Sequence, residues 1–447
     1  PRPICFYRWC RQERITLKKE KLVPFPCRKI VLNLLFTTIG ALYESQIAPG
    51  LYCTRKKRTM NPTDAGKTDI MDNISGHGKK RIQGYDLARG VAIFAMVVID
   101  FKGFFCIDET FPEWLYALIE YMDRRAAVAL VMIAGASMTL MIGRVGITKS
   151  RNTFFKRAAF LMFCGILISR IWPADILHFY GFFILSGLAM AQLSNPGLLL
   201  GAVAVWLVSF LGLSDGFCGY LESFTAGSWP KQFADLLFTG YYPIFPWAAL
   251  YLLGMWLGRL NLKNRRATMI LLGSGLLVTV LSECAGYFIP GTAVKKIIAH
   301  GASDETAAYM FILLSKLTVI DLTLPSPVSI ISGAGTGLCL IMLSFLCAVR
   351  LKQGPPQYFL IAGKNTLSLY VLHILFIKGV ELLPGIGEDY PVLWCTAGAI
   401  LFIIAYTIFM RLWLKKIAMG PLEGAMRNFP FVGAPRIAKE HPDTSTG

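Results

Sequence analysis

Asp175 and His178 stand three residues apart in Arg170-Ile-Trp-Pro-Ala-Asp-Ile-Leu-His-Phe-Tyr-Gly181, the densest polar segment in an otherwise apolar chain. Pro173 ends one helix there, Asp175 is placed to cap the next, and a spacing of three puts acid and imidazole on one face. A carboxylate that orients an imidazole makes a proton acceptor that works near neutral pH. The plainer reading of the same residues is a helix cap beside a hydrogen-bonded histidine at a membrane edge. His373 ends a second polar run, Gly363-Lys-Asn-Thr-Leu-Ser-Leu-Tyr-Val-Leu-His373. It lies about 13 Å along a helix from Lys364, a depth at which a histidine faces protein or a water-filled cavity and not lipid.

A third group is Asp86, Arg89, Asp100 and Lys102. The spacing predicts an i,i+3 pair between Asp86 and Arg89 at one membrane edge. Asp100 lies about 16 Å farther along the same helix. Lys102 is expected to neutralise it through an irregular turn or a neighbouring helix, because residues two apart on a helix do not face each other. Asp100 suits an ion pair and a catalytic carboxylate equally well. Farther on, Tyr242-Pro-Ile-Phe-Pro-Trp247 with Gly254, Gly258 and Arg259 predicts a close-packed Gly-xxx-Gly face with a basic end. Glu423 and Arg427 are spaced to pair if helical, in a structural role.

These residues must be held by helices that cross a bilayer. Of 447 residues 55% are apolar and 16% charged, and mean hydropathy is +0.53. A water-soluble body of this size needs roughly 25% charge. The apolar residues fall in runs of about 20, the length of a helix that spans a hydrocarbon core. Ten spans are expected, near 88–107, 126–143, 157–172, 176–193, 197–213, 241–258, 267–289, 328–349, 366–383 and 391–410. The fold class is thus all-α and polytopic. No internal repeat of the kind found in inverted-repeat transporters is evident.

Residues 1–86 form a basic, mostly flexible segment, with a short apolar run at Ile30–Tyr43 after Arg28 and Lys29 that reads as a weak signal or anchor. Met60 is an alternative start, with residues 1–59 as an upstream extension. Residues 87–410 form the membrane domain and 411–447 a basic tail. The net charge of +18 sits largely in the first 80 residues and in alternate loops, which hold Arg144, Lys149, Arg151, Lys156 and Arg157, then Arg259, Lys263, Arg265 and Arg266, then Arg350, Lys352 and Lys364. The intervening connections hold Asp108, Glu109, Glu113, Glu120 and Asp123, and later Glu388 and Asp389. The positive-inside rule then puts both termini in the cytoplasm. Nearby anionic lipid accounts for the charge. Neither a basic groove interleaved with aromatic residues nor zinc-finger spacing accompanies it, so a nucleic-acid partner is excluded. The 11 cysteines include no CxxC pair, and Cys164, Cys339, Cys347 and Cys395 lie inside apolar runs as small hydrophobes.

The chain resembles the transmembrane acyltransferase-like superfamily, which includes heparan-alpha-glucosaminide N-acetyltransferase and bacterial relatives. The resemblance rests on Arg81-Ile-Gln-Gly-Tyr-Asp-Leu-Ala-Arg-Gly90, Asp175-Ile-Leu-His-Phe-Tyr-Gly181, Phe245-Pro-Trp with Gly254-Met-Trp-Leu-Gly-Arg259, and Gly363-Lys-Asn-Thr-Leu-Ser-Leu-Tyr-Val-Leu-His373. Gly420-Pro-Leu-Glu423 with Arg427 is similar to the carboxyl end of a neighbouring bacterial branch. The resemblance implies acyl transfer from cytoplasmic acyl-CoA, acetyl-CoA above all, to an envelope sugar hydroxyl or amine. It implies His178, His373, Asp175 and Asp100 as the catalytic groups, and Arg89, Arg259, Lys364 and Asn365 near the CoA phosphates. Many relatives carry a histidine eleven residues after the arginine of Asp-x-x-Arg-Gly, where this chain has Asp100.

The sequence thus points to a multi-pass protein of a bacterial inner membrane. Its expected partners are lipids, acyl-CoA, a glycan or small amine or alcohol acceptor, and a second copy of the chain. No metal is expected. A transporter for a small polar or glycan-related metabolite, with Asp100, Lys102 and Asp175 along its path, is the competing reading, and a non-enzymatic membrane scaffold is the third.

Overall fold

Runs of about 20 apolar residues have only one way to satisfy their backbone inside a bilayer, and the chain takes it: every regular element described is helical. The computed structural model describes residues 82–106, 112–213, 235–299, 326–350, 357–383 and 390–430, with a few isolated residues between 306 and 318. The amino-terminal basic segment, the Ile30–Tyr43 run, Met60, Cys218, Glu388, Asp389 and the end of the tail lie outside them. All described residues belong to one compact unit.

Each expected span contains a helix. In chain order these are α1 (Gln83–Phe105), the short α2 (Glu113–Met122), α3 (Arg125–Val145), α4 (Ile147–Ser169), α5 (Leu177–Ala189), α6 (Asn195–Val208), α7 (Ile244–Leu257), α8 (Arg265–Ala299) and α9 (Pro327–Arg350). Then follow α10 (Gln357–Lys364), α11 (Thr366–Glu381), α12 (Val392–Lys416) and α13 (Pro421–Asn428). Among the described residues five helical stretches are long and apolar enough to cross a membrane: α2 with α3, α4, α8 to Pro290, α9 and α12. Counted as one span, α10 and α11, bent by 88° at Asn365, make six. Three of the expected spans, α5, α6 and α7, are shorter apolar helices. The remaining one, α1, carries Asp86, Arg89, Asp100 and Lys102, too many charges for an ordinary span. The chain is an all-α, multi-pass membrane protein, and one candidate catalytic residue, Asp100, lies on α1.

The surface supports the same reading. Ile270 and Leu401 are 71% and 67% exposed, on helices with few charges. Aliphatic side chains turned outward in such numbers need lipid around them. Inside, α3 is buried nearly all round, with Ala127, Val128, Ala129, Val131, Met132 and Ile133 all inaccessible. Helix α1 packs against α3, α9, α10, α11 and α12.

Close approach between helices relies on glycine. A Cβ at Gly254 would run into the Met132 carbonyl, one at Gly258 into the Ala136 carbonyl, and one at Gly135 into the Tyr251 carbonyl. Thr139 Oγ1 donates to the Met255 carbonyl at 2.9 Å across the same seam. These pairings run in step, so α3 and α7 are parallel. Valine at Gly254 is expected to cost about 3 kcal/mol, the upper range for overpacking, because the obstacle is backbone. Thermal unfolding in detergent checks this against Gly143→Val, a site with open space.

Candidate functional site

Arg89 fixes one end of the site. Its Nη1 donates to Asp86 Oδ1 at 3.0 Å and to the Gly363 carbonyl at 2.9 Å, and its Nη2 donates to Ser137 Oγ at 2.9 Å. The expected Asp86–Arg89 pair is present, and it also ties α1 to α3 and to the α10–α11 break. A side chain at Gly363 would strike the Asp86 carbonyl, so that break sits directly on α1. Asn365 is equally engaged. Its Nδ2 donates to the Ile361 carbonyl and its Oδ1 accepts from Gly420 N–H, both at 2.9 Å. Its backbone carbonyl accepts from Tyr406 OH, also at 2.9 Å.

The expected Glu423–Arg427 pair does not form. Glu423 instead accepts from Ser368 Oγ and, at 3.1 Å, from Ser368 N–H, while Arg427 Nη1 reaches Met419 Sδ. The carboxylate satisfies the exposed amide at the start of α11, where a helix N-terminus favours negative charge. Arg259, at the end of α7, donates to the Ala191 and Leu193 carbonyls and to Asn195 Oδ1. Burial lowers its pKa from the usual arginine value. Lys364 is exposed.

About 10 Å along α11 from its first residue, Thr366, the chemistry-bearing groups converge. His373 is inaccessible to solvent. Its Nε2 lies 2.8 Å from Asp100 Oδ2 and its Nδ1 lies 3.1 Å from the Leu369 carbonyl. A carbonyl only accepts, so Nδ1 carries a hydrogen, and one proton is shared between Nε2 and Asp100. Both imidazole nitrogens are therefore occupied. The group that remains accessible is Asp100, whose side chain is 22% exposed.

Lys102 does not neutralise Asp100 as expected. It pairs with Glu120 of α2 and lies over the Tyr116 ring at 4.2 Å. Two residues along a helix is a turn of about 200°, which carries the ammonium away from the carboxylate.

The second pair is complete on its own terms. Asp175 is fully buried, its Oδ2 is 2.9 Å from His178 Nδ1, and it also accepts from His178 N–H at 3.3 Å. Tyr370 donates to Asp175 Oδ1 at 3.1 Å and accepts from Ile176 N–H at 3.2 Å. Asp175 thus needs no other counter-ion to be satisfied. With Nδ1 held by a carboxylate, the His178 lone pair is left on Nε2, which has no hydrogen-bond partner among the described residues; the side chain is 23% exposed. Helix α4 passes so close that a Cβ at Gly165 would meet Asp175 Oδ2 and His178 N.

Tyr370 joins the two pairs. It bonds Asp175, and its ring packs edge-on against His373 with centroids 5.4 Å apart. Tyr242 packs its ring edge-on against Phe179. Both Asp–His pairs, from α1, α11, α5 and the turn before it, thus meet at Tyr370. Sequence reasoning passed over Tyr370 and Gly165. Tyr370 could have been found, because it lies three residues before His373 on the same helical face. Gly165 left no signal of its own. Also passed over was an ion pair inside the membrane body: Glu283 of α8 accepts from Arg125 Nη2 at 2.8 Å and from Ser332 Oγ at 2.7 Å. Among the described residues no group of three or more His, Cys, Asp or Glu side chains is placed to hold a metal.

The comparisons with known proteins agree with this architecture. Residues 81–283 match the family described as heparan-alpha-glucosaminide N-acetyltransferase, catalytic. Residues 293–432 match a family described as protein of unknown function (DUF418). No curated protein matches the chain. The two matches follow one another along the described body with residues 284–292 between them, and the chain thus matches the transmembrane acyltransferase-like superfamily that its motifs resemble.

Proposed function

We propose that the protein transfers an acyl group, most simply acetyl, from acyl-CoA on the cytoplasmic side to a hydroxyl or amine of an envelope sugar in a bacterial inner membrane. The observation that carries this reading is the Asp175–His178 pair, with Nε2 unbonded among the described residues and Tyr370 bonded to the buried carboxylate. In the proposed reaction His178 Nε2 accepts the proton of the acceptor as the acceptor atom bonds to the thioester carbon. The tetrahedral intermediate then expels the CoA thiolate, which takes that proton back from the imidazolium. Asp175 holds the ring in the tautomer that leaves Nε2 basic and stabilises the cation while it lasts.

Asp100 takes the place at which relatives carry histidine. The proton it shares with His373 supplies a donor for the developing oxyanion or the leaving sulfur, with His373 as its positioning residue. Of the four residues assigned to the donor's phosphates, Lys364 is exposed and reaches the basic face. Arg89, Arg259 and Asn365 would have to exchange their present partners to do so. The parallel course of α3 and α7, and the level shared by Arg89, Ser137 and Gly363, support a single basic end. We assign that end to the cytoplasm.

The test uses the purified full-length chain in vesicles with labelled acetyl-CoA outside and amino sugars or oligosaccharides inside. Labelled acceptor together with free CoA supports the reading. Acceptor uptake without any CoA dependence would replace it with the transporter.

A further inference from the structure

A cavity of about 640 Å³ runs along the side of the molecule on the face of α1 turned away from the site just described. At 100° per residue, Arg89 and Asp100 fall within about 20° of each other around α1. The groove-lining residues of that helix centre about 170° away. Its walls are Phe94 and Val98 of α1, Leu118 and Ile119 of α2, and Ile400 and Ile404 of α12.

The groove offers little to a polar ligand. Two of its lining residues, Thr396 and Thr407, spend their hydroxyls on the Val392 and Ile403 carbonyls of their own helix. Among the described residues no acidic one lines it. From Thr396 to Arg411 it follows α12 for about 22 Å, longer than the roughly 15 Å of hydrocarbon in one leaflet. Charge enters at one end alone. Arg411 is exposed at the rim, Lys415 and Lys416 follow it one turn on, and the half-exposed Tyr358 lines the groove from α10. An aromatic hydroxyl and a cation above an apolar slot match the headgroup level of a bilayer.

We propose that this groove is a binding site for an anionic glycerophospholipid, with one acyl chain along α12 and the phosphate at Arg411. The apolar walls are long enough to take one acyl chain at full length, and the headgroup charge matches Arg411, the one charged lining residue among those described. The site is separate from the Asp–His pairs, so this proposal stands whether or not the acyl-transfer reading does.

The full chain is reconstituted in vesicles of equal phosphatidylglycerol and phosphatidylcholine, extracted in mild detergent, and analysed by native mass spectrometry for retained lipid. Phosphatidylglycerol is expected to be retained over phosphatidylcholine. Arg411→Ala should lower that preference about fivefold, the worth of one basic residue at an anionic surface. Ile404→Trp should release both lipids, whereas Leu393→Trp, on the same helix outside the groove, should release neither. Equal retention of the two lipids by the wild type overturns the proposal, as does retention unchanged in Ile404→Trp. A dimer that Ile404→Trp splits without releasing lipid would assign the groove to a second copy of the chain instead. Should Ile404→Trp fail to fold, the Arg411→Ala ratio alone decides.

Discussion

His178→Ala lowers acetyl transfer from acetyl-CoA about 10²- to 10⁴-fold, the usual contribution of a positioned general base, and leaves acetyl-CoA affinity unchanged. The expectation follows from Nε2, which has no hydrogen-bond partner among the described residues. Asp175 is buried and retains Tyr370 OH and a backbone N–H when the imidazole is removed, so the fold survives with one partner lost. The side chain is partly exposed, which keeps the cavity cost of truncation small. A merely structural histidine would show the reverse pattern, with a loss of thermal stability and a proportionate loss of active protein. Turnover per folded molecule, with folded protein measured by size exclusion, separates the two. If turnover per folded molecule is unchanged, His178 is a hydrogen-bonded histidine beside the Asp175 cap and no more.

The second large effect is at Asp100. Asp100→Asn keeps the shape of the contact, since an amide N–H can donate to His373 Nε2 while Nδ1 still donates to the Leu369 carbonyl. It removes the shared proton and the carboxylate charge. Transfer is expected to fall about 100-fold, near the loss of one oxyanion donor, with stability close to wild type. Asp100→Leu should lose activity and also about 1–3 kcal/mol of stability, because it leaves a fully buried imidazole nitrogen unpaired. The pair of variants separates chemistry from packing. Equal turnover in Asp100→Asn and wild type would make the Asp100–His373 contact structural and leave the reaction to His178.

Much of this was legible in the sequence because the bilayer simplifies the code. Apolar runs marked a helix at each expected span, five or six of them long and apolar enough to cross a membrane among the described residues, and a three-residue spacing correctly paired Asp86 with Arg89 and Asp175 with His178. Glycine spacing marked the seam between α3 and α7. Contacts between elements distant in the chain were not legible. Asp100 and His373 are 273 residues apart, and nothing in either local segment selects the other. Lys102 was assigned to Asp100 by proximity in sequence, but the helical turn sends it to Glu120 on α2. Glu423 was assigned to Arg427 by i,i+4 spacing, and the free amides at the start of α11 outcompeted it. In each case a local rule gave way to a group brought in by tertiary packing. The donor assignments to Arg89 and Asn365 rest on the family resemblance, and both side chains hold the α10–α11 break.

The most direct test of the central claim is a cryo-electron-microscopy structure of the full chain with a non-hydrolysable acetyl-CoA analogue. The two Asp–His pairs should flank its reactive end, with the carbon that replaces the thioester carbonyl next to His178 Nε2 and its oxygen within roughly 3 Å of a donor at Asp100 or Tyr370. The phosphates should lie at the Lys364 end. Analogue density confined to the groove beside Ile404, or ending on the far side of α1 from Asp100, would contradict it.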